Sequence, residues 1–188
     1  VALPVATKAF LPASVAVGSS NSVLTITLTN PSSSAASITS FSDDLATMVA
    51  TSGGFKIGAG VGTNCTGGTL TAVQGTTLIS LTGGTIPAKG TCTITVPIQV
   101  LSGTPVKSYT NTIANGALKT DRGTSSGAKT AALAVTAASV SKVFSPTTQA
   151  AGLVSTLTIT LTNPAVTPAT ITSFTDNLTT MGAGFTVA

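Results

Sequence analysis

Residues 22–30 read SVLTITLTN. The strict alternation puts Leu24, Ile26 and Leu28 on one side and Thr25, Thr27 and Thr29 on the other, which is the period of a half-buried β-strand rather than of a helix. Residues 91–100, TCTITVPIQV, repeat the pattern, with Cys92, Ile94, Val96, Ile98 and Val100 inward and Thr91, Thr93, Thr95, Pro97 and Gln99 outward. Pro97 has no N–H to give a ladder, so this second stretch is expected at a sheet edge or with a bulge. Working outward, the same chemistry predicts strands over residues 6–10, 14–17, 36–42, 70–73, 77–81, 107–113 and 128–136, with turns at Gly53-Gly54, Gly67-Gly68, Gly83-Gly84 and Asn115-Gly116. About seven to ten short strands so spaced describe an all-β fold, an antiparallel β-sandwich.

The chain repeats itself. Residues 24–31 and 157–164 both read LTITLTNP, and Ile38-Thr39-Ser40-Phe41 returns as Ile171-Thr172-Ser173-Phe174. Asp43 then matches Asp176, Leu45 matches Leu178, and Met48 matches Met181; upstream, Lys8, Phe10, Pro12 and Gly18 match Lys142, Phe144, Pro146 and Gly152. A period of roughly 133 residues is the size of a whole domain, not of a solenoid unit. Residues 1–138 are therefore expected to form one complete sandwich, and residues 139–188 the first part of a second, homologous one. The joint between them has no Pro- or Gly-rich tract and is expected to be short and stiff.

Composition removes several functional classes. Only 6% of residues are charged, the net charge is +4, and Ser and Thr make up nearly a third of the chain. Mean hydropathy is +0.52, too high for a disordered polyelectrolyte. No run approaches the length of a membrane-spanning helix, and the amino terminus lacks a signal peptide's layout. The absence of an initiator Met suggests a piece processed or excised from a longer precursor. There is no His, Trp or Glu, and the only carboxylates are Asp43, Asp44, Asp121 and Asp176. That excludes His-based triads and His-liganded metals and leaves few groups for acid/base work, so no enzyme activity, cofactor or metal site is expected. The seven lysines and Arg122 are scattered singly with few aromatic residues among them, a pattern for solubility and edge protection rather than for nucleic acid.

The order K-x-F-x-P, G, LTITLTNP, ITSF-x-D-x-L, a Cys followed by GGTL, LTGGTIPAKGTCTITV and YTNTI resembles a repeat of bacterial surface proteins, the domain of unknown function numbered eleven, and its relatives. The resemblance implies Ig-like or prealbumin-like sandwiches that recur in tandem on secreted and cell-surface proteins. It covers the first unit and the partial second. Its likeness to prealbumin-like pilins further implies that Lys8 (and Lys142 in the second unit) could join an asparagine through an isopeptide bond, with Asn111 in YTNTI as acceptor and Asp43 as the acid. The lack of Glu departs from one common version of that pattern. The ordinary alternative for Lys8 is an exposed lysine guarding a strand edge.

Cys65 and Cys92 are the only cysteines, and an isolated pair in an exported module is expected to form a disulfide closing a loop of about 27 residues. The repeated acidic point, Asp43-Asp44 and Asp176-Asn177, reads as an Asx-type turn at a strand end, with Ca²⁺ ligation as the alternative. The outward threonines form no short-period array of the ice-binding kind, and the sequons Asn64-Cys65-Thr66 and Asn177-Leu178-Thr179 are near chance in so Thr-rich a chain. Two functions fit. One is a structural module of an extracellular filament or surface stalk on a bacterial cell, built head to tail from copies or neighbouring repeats, with strand complementation for the unfinished unit. The other is an adhesin or glycan-binding module. Recognition loops favour exposed Trp, Tyr or Arg, and this chain offers only Tyr109 and Arg122, which favours the structural role.

Overall fold

The computed structural model describes residues 2–165, 168–182, 186 and 187. The chain divides into two compact units, the first holding the residues up to Ala137 together with Ala165, and the second the other described residues from Ala138 onward.

The first unit is a β-sandwich. One sheet has the order β1 (Val5–Leu11), β3 (Ser22–Asn30), β9 (Gly90–Val100) and β5 (Phe55–Ile57), with β6 (Gly62–Thr63) also on β9. The facing sheet runs β12 (Gly123–Thr124), β11 (Lys119–Thr120), β4 (Ala36–Asp44), β8 (Leu78–Ile86) and β7 (Thr66–Thr71). A third, smaller sheet joins β10 (Ser108–Ile113), β13 (Lys129–Thr136) and β2 (Ser14–Ala16). All ladders are antiparallel except β13 with β2.

The alternation read from the sequence decides what is buried. Leu24, Ile26 and Leu28 on β3 and Ile94, Val96 and Ile98 on β9 are all 0% exposed, and Phe41 on β4 is 1%. Their partners Thr25 and Thr27 are half-buried instead of bare, because β3 lies between β1 and β9. The disulfide Cys65–Cys92 is formed and lies within this core.

Two expectations need correction. The strand holding Pro97 is central, not an edge: β3 pairs with one side of it and β5 and β6 with the other. The proline is accommodated because the ladder beside it is interrupted. β5 meets Ile98 and β6 meets Thr95, while Gly58 donates its N–H to the Pro97 carbonyl at 2.7 Å. The pairs Gly67-Gly68 and Gly83-Gly84 are also not turns between strands; they lie inside β7 and β8, with Gly68 opposite Gly83. A Cβ on Gly84 would stand 3.0 Å from the Gly68 backbone, so these glycines permit a close approach of two strands.

The second unit contains β14 (Ser139–Ser145) paired antiparallel with β15 (Thr156–Thr162), and a 3₁₀ turn at Leu178–Met181. Phe144, Leu157 and Ile159 are half-buried, while Leu161 and Phe174 are each 45% exposed and Ile171 is 65%.

Candidate functional site

Three polar side chains enter the core of the first unit at one point. Lys8 sits on β1 between Ala6 and Phe10, both buried, and the period of two sends its side chain to their face. Asp43 follows Phe41 by two residues on β4 and faces inward with it. Asn111 lies between Tyr109 and Ile113 on β10, both buried, and is itself 0% exposed. Each of the three comes from a different sheet, so the site lies where the sheets converge.

Lys8 Nζ is 2.8 Å from Asp43 Oδ2, and both side chains are fully enclosed. Asn111 Nδ2 donates to Asp43 Oδ1 at 3.4 Å, to the Asp44 carbonyl at 2.9 Å and to Thr47 Oγ1 at 2.8 Å. The Asp44 carbonyl can only accept, which fixes the amide nitrogen on that side and leaves Asn111 Oδ1 buried with no hydrogen-bond donor among the described residues. An orphaned buried carbonyl costs about 1–3 kcal/mol. Burial pushes the Lys8 ammonium below its usual value, opposed by the charge of Asp43 and its hydrogen bond. A lysine, a carboxylate and a carboxamide are thus held together away from water, the amine and the carboxamide both touching the same carboxyl group.

The structure overturns the exposed-edge reading of Lys8. The parity of K-x-F already carried the signal, since a residue two positions from an inward Phe in a strand points inward as well. Asp44, by contrast, behaves as an Asx cap. Its side chain accepts from the Ala46 N–H at 2.9 Å and opens the 3₁₀ turn Leu45–Thr47. Among the described residues no three His, Cys, Asp or Glu side chains gather as a metal would need. Asn64 Oδ1 accepts from the Thr93 N–H at 2.6 Å, next to the disulfide. Sequence reading did not single out Thr47, whose hydroxyl donates to the Asp44 carbonyl and accepts from Asn111 Nδ2 and the Thr112 N–H. No pattern in the sequence distinguishes it from the other threonines. A shallow depression bounded by Leu45, Met48, Val49, Phe55 and Thr77 has Lys56 as its one titratable side chain. No helix among the described residues is long and apolar enough to cross a membrane.

No curated protein sequence matches the chain. Among solved structures it is similar to a bacterial hydrophobin, BslA, at 14% identity and a TM-score of 0.36, over 71% of this chain and 95% of the other. The likeness to the domain numbered eleven rests on the motifs alone. Residues 4–135 match the model of a domain of unknown function, DUF7933, which is well over half of the chain, and the protein belongs to that family.

Proposed function

We propose that the chain is a structural module of an extracellular filament or bacterial surface stalk, and that its first unit locks itself with an amide bond between Lys8 and Asn111. The observation that carries this reading is the enclosed contact of Lys8 with Asp43, beside an Asn111 carboxamide whose oxygen has no donor.

The chemistry balances without any cofactor. Lys8 passes a proton to Asp43 and becomes a neutral amine. Its Nζ attacks Asn111 Cγ, and the protonated Asp43 carboxyl, which lies against Nδ2, is placed to give its proton to the departing nitrogen. The Cγ–Nδ2 bond then breaks, Asp43 relays the proton from Nζ to the departing nitrogen, and ammonia leaves. No oxidant or reductant is needed.

The placement suits a module that resists extension or unfolding. Lys8 lies on the first strand and Asn111 some hundred residues later on β10, so the bond would bridge most of the unit and constrain the unfolded chain by about 4.7 kcal/mol in the loop-entropy model. The disulfide, which suits an oxidising compartment outside the cytoplasm, closes a shorter loop nested within that one, its cysteines 27 residues apart. Low charge and a Ser/Thr-rich exterior fit passive packing more than ligand recognition.

Intact-mass measurement tests the bond. The chain should weigh one ammonia less than its sequence, Lys8→Ala and Asn111→Ala should restore the full mass, and proteolysis should release a branched peptide joining positions 8 and 111. A full-mass parent would refute the bond. Negative-stain microscopy of native material tests the filament, which requires a fibre with a domain-sized axial repeat.

A further inference from the structure

The hydroxyl of Thr47 has one hydrogen and two lone pairs, and all three are used. It donates to the Asp44 carbonyl at 2.9 Å, and it accepts from Asn111 Nδ2 at 2.8 Å and from the Thr112 N–H at 3.1 Å. Asn111 Nδ2 is in turn 2.9 Å from the Asp44 carbonyl oxygen. Hydroxyl, carbonyl and amide nitrogen therefore close a triangle with sides of 2.8, 2.9 and 2.9 Å. The turn itself builds two corners of it. Asp44 accepts from the Ala46 N–H and opens the 3₁₀ turn Leu45–Thr47, which brings the hydroxyl of its last residue back onto the Asp44 carbonyl. The same local pair recurs in the second unit, where Thr180 Oγ1 donates to the Asn177 carbonyl at 2.8 Å.

Packing does not account for Thr47. It is exposed, while Leu45 and Met48 on either side of it are buried in the core. The Thr112 N–H that it satisfies lies on the exposed side, where water can replace it. What the hydroxyl does decide is the orientation of Asn111. A carboxamide has two ends of nearly the same shape, and a half-turn about its Cβ–Cγ bond exchanges them. Because the Thr47 hydrogen is committed to Asp44, Thr47 Oγ1 and the Asp44 carbonyl together offer only acceptors to the side chain at position 111. The flipped amide would set its oxygen against both. The nitrogen is thus held on the turn, with Asp43 Oδ1 3.4 Å away. The reverse orientation would put the carbonyl oxygen beside Asp43 and carry the leaving nitrogen away from its acid.

We propose that Thr47 is a positioning residue for the Lys8–Asn111 bond: with the Asp44 carbonyl, its hydroxyl selects the orientation of the Asn111 carboxamide in which Nδ2 faces Asp43 and can leave as ammonia. The proposal rests on the Lys8–Asn111 reading and adds the residue that aims the acceptor. In the step, the Lys8 Nζ–Asn111 Cγ bond forms and the Cγ–Nδ2 bond breaks. The proton from Nζ passes through Asp43 to Nδ2, and Thr47 neither gives nor keeps one. Its contribution is to the geometry of approach, where a small misplacement slows a reaction steeply.

Chains assembled in guanidinium by peptide ligation at Cys65 and Cys92 have never folded, and dilution into buffer starts folding and bond formation together. Far-UV circular dichroism follows the first and intact mass the second. The parent should lose one ammonia. Thr47→Val keeps the branched shape and removes the hydroxyl; it should fold and lose ammonia roughly 10- to 100-fold more slowly. Thr47→Ser keeps the hydroxyl and should restore the parent rate. The proposal is overturned if folded Thr47→Val reacts at the parent rate. It is equally overturned if Thr47→Ser is as slow as Thr47→Val, since shape and not the hydroxyl would then matter. If Thr47→Val does not fold, Thr47→Ala replaces it with the same expectation, and failure of both to fold overturns the proposal by making Thr47 a residue of the fold. A parent that loses no ammonia is a different outcome: it refutes the Lys8–Asn111 reading, and this one with it, before any variant is compared.

Discussion

Removing either partner of the Lys8–Asp43 pair should cost far more than removing both. Lys8→Met keeps the length and volume of the side chain but deletes the nucleophile, and so loses the crosslink. It also strands the Asp43 carboxylate in a site where the side chain has no solvent exposure. Asp43→Ala likewise blocks the bond and strands the ammonium. In a chain without the crosslink, where Lys8 stays an ammonium, breaking this fully buried ion pair costs about 3–5 kcal/mol, because one charge remains without its partner. Against the crosslinked parent, in which Lys8 is an amide and no ion pair remains, every one of these variants loses the crosslink, up to about 4.7 kcal/mol for a loop of some hundred residues. The double variant Lys8→Met/Asp43→Leu loses the same crosslink but strands no charge. It should therefore recover about 2–4 kcal/mol relative to either single variant while staying below the crosslinked parent. Guanidinium unfolding followed by tryptic fragmentation, with intact mass taken on the same samples, measures both contributions. If the double variant were no more stable than the singles, the buried pair would not be the source of the cost. If all three matched the parent, neither crosslink nor pair would hold the unit together.

Reduction of Cys65–Cys92 should lower stability by about 3.5 kcal/mol for its 27-residue separation, leaving far-UV strand signal intact, because the core remains buried. Ile26→Ala, at 0% exposure, should cost about 2–5 kcal/mol and Thr25→Ala under about 1, and equal losses in denaturant titrations would overturn the assignment of faces. Bond formation after refolding, followed by mass, should slow as pH rises toward 10.5, since burial lowers the Lys8 pKa from that value and the reactive form keeps one proton shared between Lys8 and Asp43, whose loss removes the acid. In an Asn111→Leu variant that cannot crosslink, stability should rise across the same window. There the unfolded lysine binds a proton that the folded one has released, so ∂ΔG/∂pH is positive; a flat profile would contradict a shifted Lys8.

The strands were legible because this sequence writes its core in alternation. Leu24, Ile26 and Leu28 have threonines between them, a period that belongs to a half-buried strand and not to a helix. The glycine pairs misled because Gly-Gly marks both a turn and a close strand approach, and only the partner strand tells which; Gly83 and Gly84 are inside β8 because Gly68 comes against them. Pro97 misled for a similar reason. The rule concerns one N–H, and a gap between β5 and β6 removes the need for that N–H without making the strand an edge. The site was half legible. Lys8 shares the parity of Phe10, and Asp43 that of Phe41, so both are on core faces by sequence alone. That they meet, and that Asn111 meets them, depends on how three sheets close, which periodicity does not encode.

A buried lysine is expensive, and the first unit gains no stability from the ion pair that an apolar trio of the same volume would not equal. That argues against reading Lys8, Asp43 and Asn111 as a packing solution. The arrangement around Asn111 points the same way. Its amide nitrogen has three acceptors within 3.4 Å while its oxygen has no donor among the described residues, so the carboxamide is held by its leaving group with its carbonyl unsatisfied. A residue kept only for structure would be expected in the reverse condition, with both ends of the amide paired, as Asn30 is: its Oδ1 accepts from the Ser32 N–H at 3.1 Å and its Nδ2 donates to the Ser34 carbonyl at 2.9 Å. Asn30 and Asn111 are equally buried, at 0% exposure. The difference between them is therefore not depth but chemistry, and it is the contrast that the mass of the intact chain decides.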